Sequence, residues 1–306
     1  MDFSMDSGGV ILSGASGMLG NALTLALNNR KTPVLQLVRR HPSGERQLQW
    51  SPEVDPAVNN PAPLEGAAAA IHLSGASVAA HRWTNAYKEE LATSRLDSTR
   101  RLAKVLAELR RPPQTLLVAS AIGIYGDRGD EVLSESSPAG SGFLAELCQR
   151  WEAAAEPAIQ AGIRVVHLRF GVVLGPGKGA LQQMLPPFRV GLGARLGSGK
   201  QWMSWVALAD VVAATLFALD HPELSGALNV VSPNPVTNAD FTRSLGRELR
   251  RPAFLAVPAF ALRIMFGQMA DEALLASARV QPAKLQAAGF QFSLPEVGGA
   301  LKAALR

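Results

Sequence analysis

The pattern of apolar and polar positions changes period repeatedly over the first 170 residues of the chain. Short apolar runs at 10–12, 33–38, 68–73, 115–119 and 163–168 have the length and composition of strands. A weaker run, ERQLQW at 45–50, fits between the second and third of these as another strand. Stretches at 21–29, about 85–109 and 143–155 instead place apolar residues at helical spacing, and the longest of them stops at Arg110-Arg111-Pro112-Pro113. Strands alternating with helices predict an α/β fold, a Rossmann-type doubly wound parallel sheet with right-handed crossovers.

Beyond Phe170 this alternation gives way to two glycine-rich stretches, GVVLGPGKG and VGLGARLGSGK, which need packing partners to be ordered. A helix at 208–219 and a strand at 227–231 are expected to return to the sheet. From Thr237 the pattern is mainly helical, with breaks at Pro252, Pro258 and Pro282. The expected organisation is a nucleotide-binding domain over 8–170, rejoined by 203–231, and a small, mainly helical lobe from 171–202 and 232–306. No internal repeat is visible.

The connection after the first strand reads GASGMLG. Gly14 would permit the tight turn, Gly17 would let a pyrophosphate approach the backbone, and Gly20 would allow close packing of helix on strand. The amides opening the following helix would face the phosphates. A G-x-x-G-x-x-G match alone is weak, but this one follows a strand and opens a helix at the head of an alternating series. Ser16, Met18 and Leu19 in the turn, with Leu73 and Gly75 at the end of the fourth strand, complete the expected cofactor contacts. At the end of the second strand, where an NAD site carries an Asp or Glu for the ribose, the chain has Arg39 and Arg40. Guanidinium groups bind a 2′-phosphate that a carboxylate would repel, so NADP(H) is favoured over NAD(H). The alternative reading is two arginines that merely solvate a strand end.

Composition narrows the field further. An excess of 30 basic over 25 acidic residues favours anionic ligands, but their interleaving on helices argues against a nucleic-acid partner. The single cysteine, Cys148, rules out an intrachain disulfide or a thiolate metal cluster and suits a reducing compartment. The N-terminal stretch MDFSMDSGG lacks a basic, apolar signal, and no run is long enough to span a bilayer. A cytoplasmic protein with no membrane partner, monomeric or homodimeric, is expected.

Several segments extend the argument to a family. HLSGASVAAHRWTNAYKEELATSR, SAIGIYGDRGDEVLSE, FLAELCQRWE, LRFGVVLGPGKGAL, LGSGKQWMSW, NPVTNADF, RPAFLAVP and RVQPAKLQAAGFQF occur in that order. Together with the glycine turn they resemble the atypical extended short-chain dehydrogenase/reductases of the NAD-dependent epimerase/dehydratase family, in particular the SDR39U1-like group with its C-terminal segment of DUF1731 type. The resemblance covers nearly the whole chain and implies a Rossmann domain, a small C-terminal lobe and a nicotinamide cofactor; it supplies no substrate. The chain departs from the group at Ala207, where a histidine commonly stands, and at Gly267-Gln268, where Gly-Glu is frequent.

The superfamily's usual acid–base pair, Tyr-x-x-x-Lys, is missing. The chain has only Tyr87 and Tyr125, followed four residues on by Leu91 and Gly129. Alignment through Glu152 puts Leu144 and Cys148 at the Tyr and Lys positions, Ala121 beside Ser120 at the Ser/Thr position, and Arg95 at that of the usual asparagine. Three residues remain as catalytic candidates. Ser120 ends the fifth strand, and Tyr125 lies just beyond it. Arg95 shares a helix face with Lys88, where both could bind an anion or pair with Glu89, Glu90 or Asp97. Cys148, with no histidine near it in sequence, reads as a packing thiol. Trp83, Trp202 and Trp205 could wall a pocket or join the lobes. Asp210 reads as a brace for the returning helix. The expected activity is an atypical NADP(H)-dependent oxidoreductase or epimerase-like protein acting on a small polar or anionic carbonyl or hydroxyl compound, with hydride exchanged at nicotinamide C4. The rival reading is a non-catalytic NADP(H) sensor or regulatory protein.

Overall fold

The computed structural model describes residues 8–177 and 179–306. Its centre is a seven-stranded sheet built from β1 (Val10–Ser13), β2 (Val34–Val38), β3 (Gln47–Gln49), β4 (Ala69–His72), β5 (Thr115–Ala121), β6 (Arg164–Phe170) and β7 (Gly226–Val230). The strands lie in the order β7-β6-β5-β4-β1-β2-β3, and every neighbouring pair is parallel. The order reverses between β1 and β4, which opens a crevice at the carboxyl ends of these two strands.

Both faces of the sheet are covered, so the central strands are apolar on alternate residues in both directions. Val10 and Leu12 of β1 point to one core with Leu23 and Leu27 of α1 (Met18–Asn29), whereas Ile11 joins the opposite core with Leu102 and Leu106 of α2 (Asn85–Ala107). Burying one such leucine is worth about 2 kcal/mol. The strands expected at 115–119 and 163–168 each extend two residues further at their carboxyl ends. Those added residues are Ser120, Ala121, Arg169 and Phe170, and they border the crevice. Polar side chains masked these extensions in the pattern. The expected 143–155 helix is α3 (Phe143–Ala153), and a short α4 (Glu156–Gln160) follows it.

The two glycine-rich stretches are ordered by strand pairing. Val172–Leu174 pairs with Trp205–Ala207, and Ala194–Leu196 with Leu255–Val257. Between them, α5 (Ala180–Arg189) follows the first loop, in which Lys178 lies outside the described residues. The expected helix at 208–219 is α6 (Leu208–Asp220), which covers the β1 side of the sheet. The later helices are α7 (Asn238–Leu249), α8 (Ala259–Phe266), α9 (Ala283–Ala287) and α10 (Val297–Ala304). Helices α5, α7 and α10 share a second core around Trp205, Phe188 and Phe241. Asp210 braces α6 to the chain before α10, accepting from the amides of Ser293 and Leu294 at 2.7 and 3.0 Å.

Candidate functional site

The glycine turn is built as its spacing requires, each glycine for a different reason. Gly14 has φ of +75°, and a Cβ there would lie 2.8 Å from the Leu73 carbonyl carbon, so the turn is pressed against the end of β4. A Cβ on Gly20 would lie 2.2 Å from the Gly14 oxygen, which locks α1 onto the turn. Gly17 is different: a Cβ would meet only that same oxygen, at 3.4 Å, and the residue is exposed beside exposed Ser16. Its backbone face is therefore open to a bulky group. No side chain caps α1 and no acidic residue sits in its first turn. The amides of Met18, Leu19 and Gly20 consequently have no intrahelical acceptor and carry the positive end of the helix dipole.

Two neighbouring elements complete this end of the crevice. Leu37 of β2 pairs with Ser13, and Arg39 and Arg40 follow two and three residues later, both exposed beside the turn. On the other side, Gly175 and Gly179 rest on Met18, whose Sδ would lie 2.9 Å from a Cβ at Gly175. Gly75 is exposed at the end of β4 and sits against the Arg95 side chain. The residues fit a dinucleotide phosphate: an open glycine, three amides without an intrahelical acceptor, and two exposed arginines after the adjoining strand.

Beneath the turn, His72 ends β4 wholly buried, and burial pushes its pKa down to about 3. Ser98 Oγ already donates to the Ser94 carbonyl at 2.7 Å, so at 3.1 Å it accepts from His72 Nε2–H. Nδ1 then accepts from Ser13 Oγ at 2.6 Å. The neutral imidazole thus ties β1, β4 and α2 together below the site.

At the β5 end, Leu144 and Cys148, which alignment puts at the positions of the usual acid–base pair, lie together against the turn that follows the strand. A Cβ on Gly123 would touch Leu144 Cβ at 3.4 Å and Cys148 Sγ at 3.9 Å. Cys148 is buried, and desolvation pushes its thiol up to about 12, which removes it as a nucleophile. The two other candidates belong to one buried network. Ser120 donates to Glu152 Oε1 at 2.7 Å, and Arg169 grips both Glu152 oxygens at 2.8 Å. Arg169 also donates at 2.9 Å to the hydroxyl of Tyr125, which donates at 2.8 Å to Asn229 of β7. Tyr125 is 0% exposed, so its phenol faces the core. Burial raises its pKa in spite of the opposing Arg169 charge. For Glu152 burial also opposes ionisation, but the bonds and charge of Arg169 outweigh it and hold the carboxyl below its ordinary range.

Arg95 stands apart from this network. It is 8% exposed and donates to the carbonyls of Leu91 at 3.1 Å and Ala76 at 2.8 Å, with its guanidinium 5.0 Å from the Trp151 ring. Among the described residues no carboxylate pairs with it, and burial lowers its pKa with only Cys148 and Tyr87 acting in the other direction. Lys88, on the same helix face, lies over Phe143 at 5.4 Å. Among the described residues neither forms the ion pair that was the alternative reading. Trp83 packs on Phe143 in the same cluster as Met269, so this tryptophan joins the C-terminal segment to α2 and α3. Trp205 is a core residue, and Trp202 stacks on Arg279 at 4.3 Å.

Sequence reasoning overlooked Glu152 as a partner for Arg169, and it overlooked Glu272. The latter reaches from the C-terminal segment to accept from the Leu144 amide at 2.8 Å, capping α3 at its first turn. A signal for the first existed: Arg169 sits near the end of a largely apolar strand whose middle is buried, and a buried guanidinium calls for a polar partner. For Glu272, separated from Leu144 by 128 residues, no local pattern exists.

Comparison with known proteins finds relatives over nearly the whole chain. Residues 10–231 match the NAD dependent epimerase/dehydratase family, and residues 257–304 match a domain of unknown function, DUF1731. Epimerase family protein Mb2239 of Mycobacterium bovis is 46% identical over 292 residues, covering 95% of this chain and 96% of that protein. Human epimerase family protein SDR39U1 is 36% identical over 296 residues, covering 96% and 98%. The crystal structure of human SDR39U1, isoform 2, with NADPH superposes with a TM-score of 0.88 at 34% identity, covering 96% of this chain and 98% of that one.

Proposed function

The chain belongs to the NAD-dependent epimerase/dehydratase family, and from that premise we propose that it is an NADP(H)-dependent oxidoreductase acting on a small carbonyl or hydroxyl compound with an anionic or strongly polar group. The carrying observation is the turn Gly14–Gly20 with its open Gly17, uncapped α1 amides and flanking Arg39 and Arg40. Gly17 and the amides of Met18, Leu19 and Gly20 hold the pyrophosphate, with Ser16, Leu73 and Gly75 lining the same crevice. Arg39 and Arg40 take the 2′-phosphate bidentately, a role that favours NADP(H). NADPH in the human relative's crystal supports this reading.

When bound there, the nicotinamide supplies or accepts a hydride. The protein must then stabilise charge on the substrate oxygen without the usual tyrosine and lysine. Arg95 does this, because a buried guanidinium lacking a carboxylate is incompletely compensated and strengthens when an oxyanion arrives. The proton reaches the oxygen through an ordered water, and Ser120 and Tyr125 act from behind by fixing the Glu152–Arg169 pair under the end of β5. Leu144 and Cys148 leave the nicotinamide face apolar, which keeps Arg95 in a low dielectric.

The sensor reading rests on a specific observation too, since both hydroxyl candidates are already engaged with protein partners. Fluorescence titration with NADPH and with NADH, on wild type and on the Arg39→Ala/Arg40→Ala variant, tests the cofactor half of the proposal. NADPH preference of at least tenfold, lost in the variant, is expected; equal affinity for both nucleotides, or none for either, refutes the assignment.

A further inference from the structure

The sequence pattern shows no membrane span, and among the described residues no helix is long and apolar enough to cross one. The fold nevertheless collects, from two separated segments, a surface that is both apolar and cationic. Val190 and Leu192, after α5, are 69% and 59% exposed, and Phe254, at the start of Leu255–Val257, is 77% exposed. Parallel pairing of Leu255 with Ala194 brings the two segments together, and a Cβ at Gly191 would lie 3.5 Å from Pro252. After Pro258, α8 adds Phe260 and Ile264, one helical turn apart and 64% and 69% exposed.

Five arginines belong to the same elements. Arg189 precedes Val190, Arg195 lies in the Ala194–Leu196 strand, and Arg247, Arg250 and Arg251 close α7 just before Phe254; all five are exposed. None of them forms an ion pair among the described residues. The charge is unevenly shared along the chain: segments 171–202 and 232–306 carry 13 basic and 5 acidic residues, a net +8, and the remainder carries 17 and 20, a net −3.

We propose that this face docks on an anionic lipid surface, with Val190, Leu192 and Phe254 entering the interfacial region and the five arginines meeting the headgroups. Exposures this high belong to side chains that project, as interfacial insertion requires, and clusters of four to eight basic residues are what anionic bilayers attract. A second copy of the chain fits less well, since two-fold pairing would set like charges against each other. An acidic protein partner would be expected to offer a pocket for Phe254; projecting side chains on elements that also carry exposed arginines do not require one.

Co-sedimentation of the full chain with vesicles of equimolar phosphatidylcholine and phosphatidylglycerol, against pure phosphatidylcholine, tests this. Pelleting with anionic vesicles only, weakened by high salt, is expected. Arg250→Glu/Arg251→Glu should reduce partitioning at least tenfold, and Val190→Ser/Leu192→Ser/Phe254→Ser should abolish it, with near-ultraviolet circular dichroism confirming that both variants remain folded. Wild type that stays in the supernatant, or that binds as tightly after either set of changes, overturns the proposal. Light scattering that finds a dimer, dissolved by the serine variant, overturns it in favour of self-association.

Discussion

Arg169 and Arg95 are equally buried, each 8% exposed, yet their surroundings differ in kind. Arg169 meets Glu152 through two parallel bonds, leans on Tyr125, and is held more firmly charged than a free guanidinium in spite of burial. Arg95 meets two carbonyls and an indole face, and burial pulls its pKa the other way. The first arrangement closes on itself and has nothing left to offer a ligand. The second leaves a positive charge beside Gly75, at the crevice, with its electrostatic demand incompletely met. A paired buried ion holds structure, and the unpaired one is where the proposed chemistry is assigned.

The largest effect should come from breaking the closed arrangement. Arg169→Met strands Glu152, Ser120 and Tyr125 without their common partner, and a loss of about 3–5 kcal/mol is expected in urea unfolding. A loss below about 1 kcal/mol would mean that the network is replaceable and the contrast with Arg95 is unfounded.

His72 illustrates a third treatment of a buried ionisable group, in which the charge is given up altogether. Its folded pKa of about 3 lies below the unfolded value of 6.5, so the unfolded chain binds the proton that the folded one refuses. Stability is therefore complete above about pH 6.5 and falls by up to about 1.4 kcal/mol per pH unit as acid is added. His167, also lowered by burial, adds to the same window. Melting temperature against pH should show this decline in wild type and a shallower one in His72→Asn; parallel curves would contradict it.

Arg95→Met should have a smaller effect on stability, within about 1 kcal/mol, because the lost carbonyl bonds are offset by relief of a desolvated charge. Destabilisation as large as that of Arg169→Met would show that Arg95 is a structural ion after all. The smallest effect concerns Cys148: its neutral, buried thiol should resist alkylation by iodoacetamide at pH 8 and react promptly only in denaturant. Rapid labelling of the native protein would place it in the open crevice.

These distinctions were unevenly legible in the sequence. The turn Gly14–Gly20 announced itself because close backbone approach selects glycine at fixed spacing, and the apolar runs of β1, β4 and β5 announced a doubly covered sheet. The absence of Tyr-x-x-x-Lys was equally plain, and Leu144 and Cys148 do neighbour the end of β5. Tyr125 is different, because its orientation depends on Asn229, 104 residues away, and on Arg169. No local pattern encodes a side chain's direction when the deciding partners lie on other strands. The two glycine-rich stretches could be read only as needing packing partners, for a related reason. Their order comes from pairing with Trp205–Ala207 and Leu255–Val257, short strands with too few residues to show a period.

The most direct test follows NADPH oxidation by wild type, Arg95→Met and Arg95→Lys across a panel of small carbonyl compounds with and without a carboxylate, after NADPH affinity has been measured for each. The account predicts turnover with carboxylate-bearing members, a loss of about 10²–10³ in kcat/KM in Arg95→Met at unchanged NADPH affinity, and partial recovery in Arg95→Lys. Turnover that survives intact in Arg95→Met would contradict it.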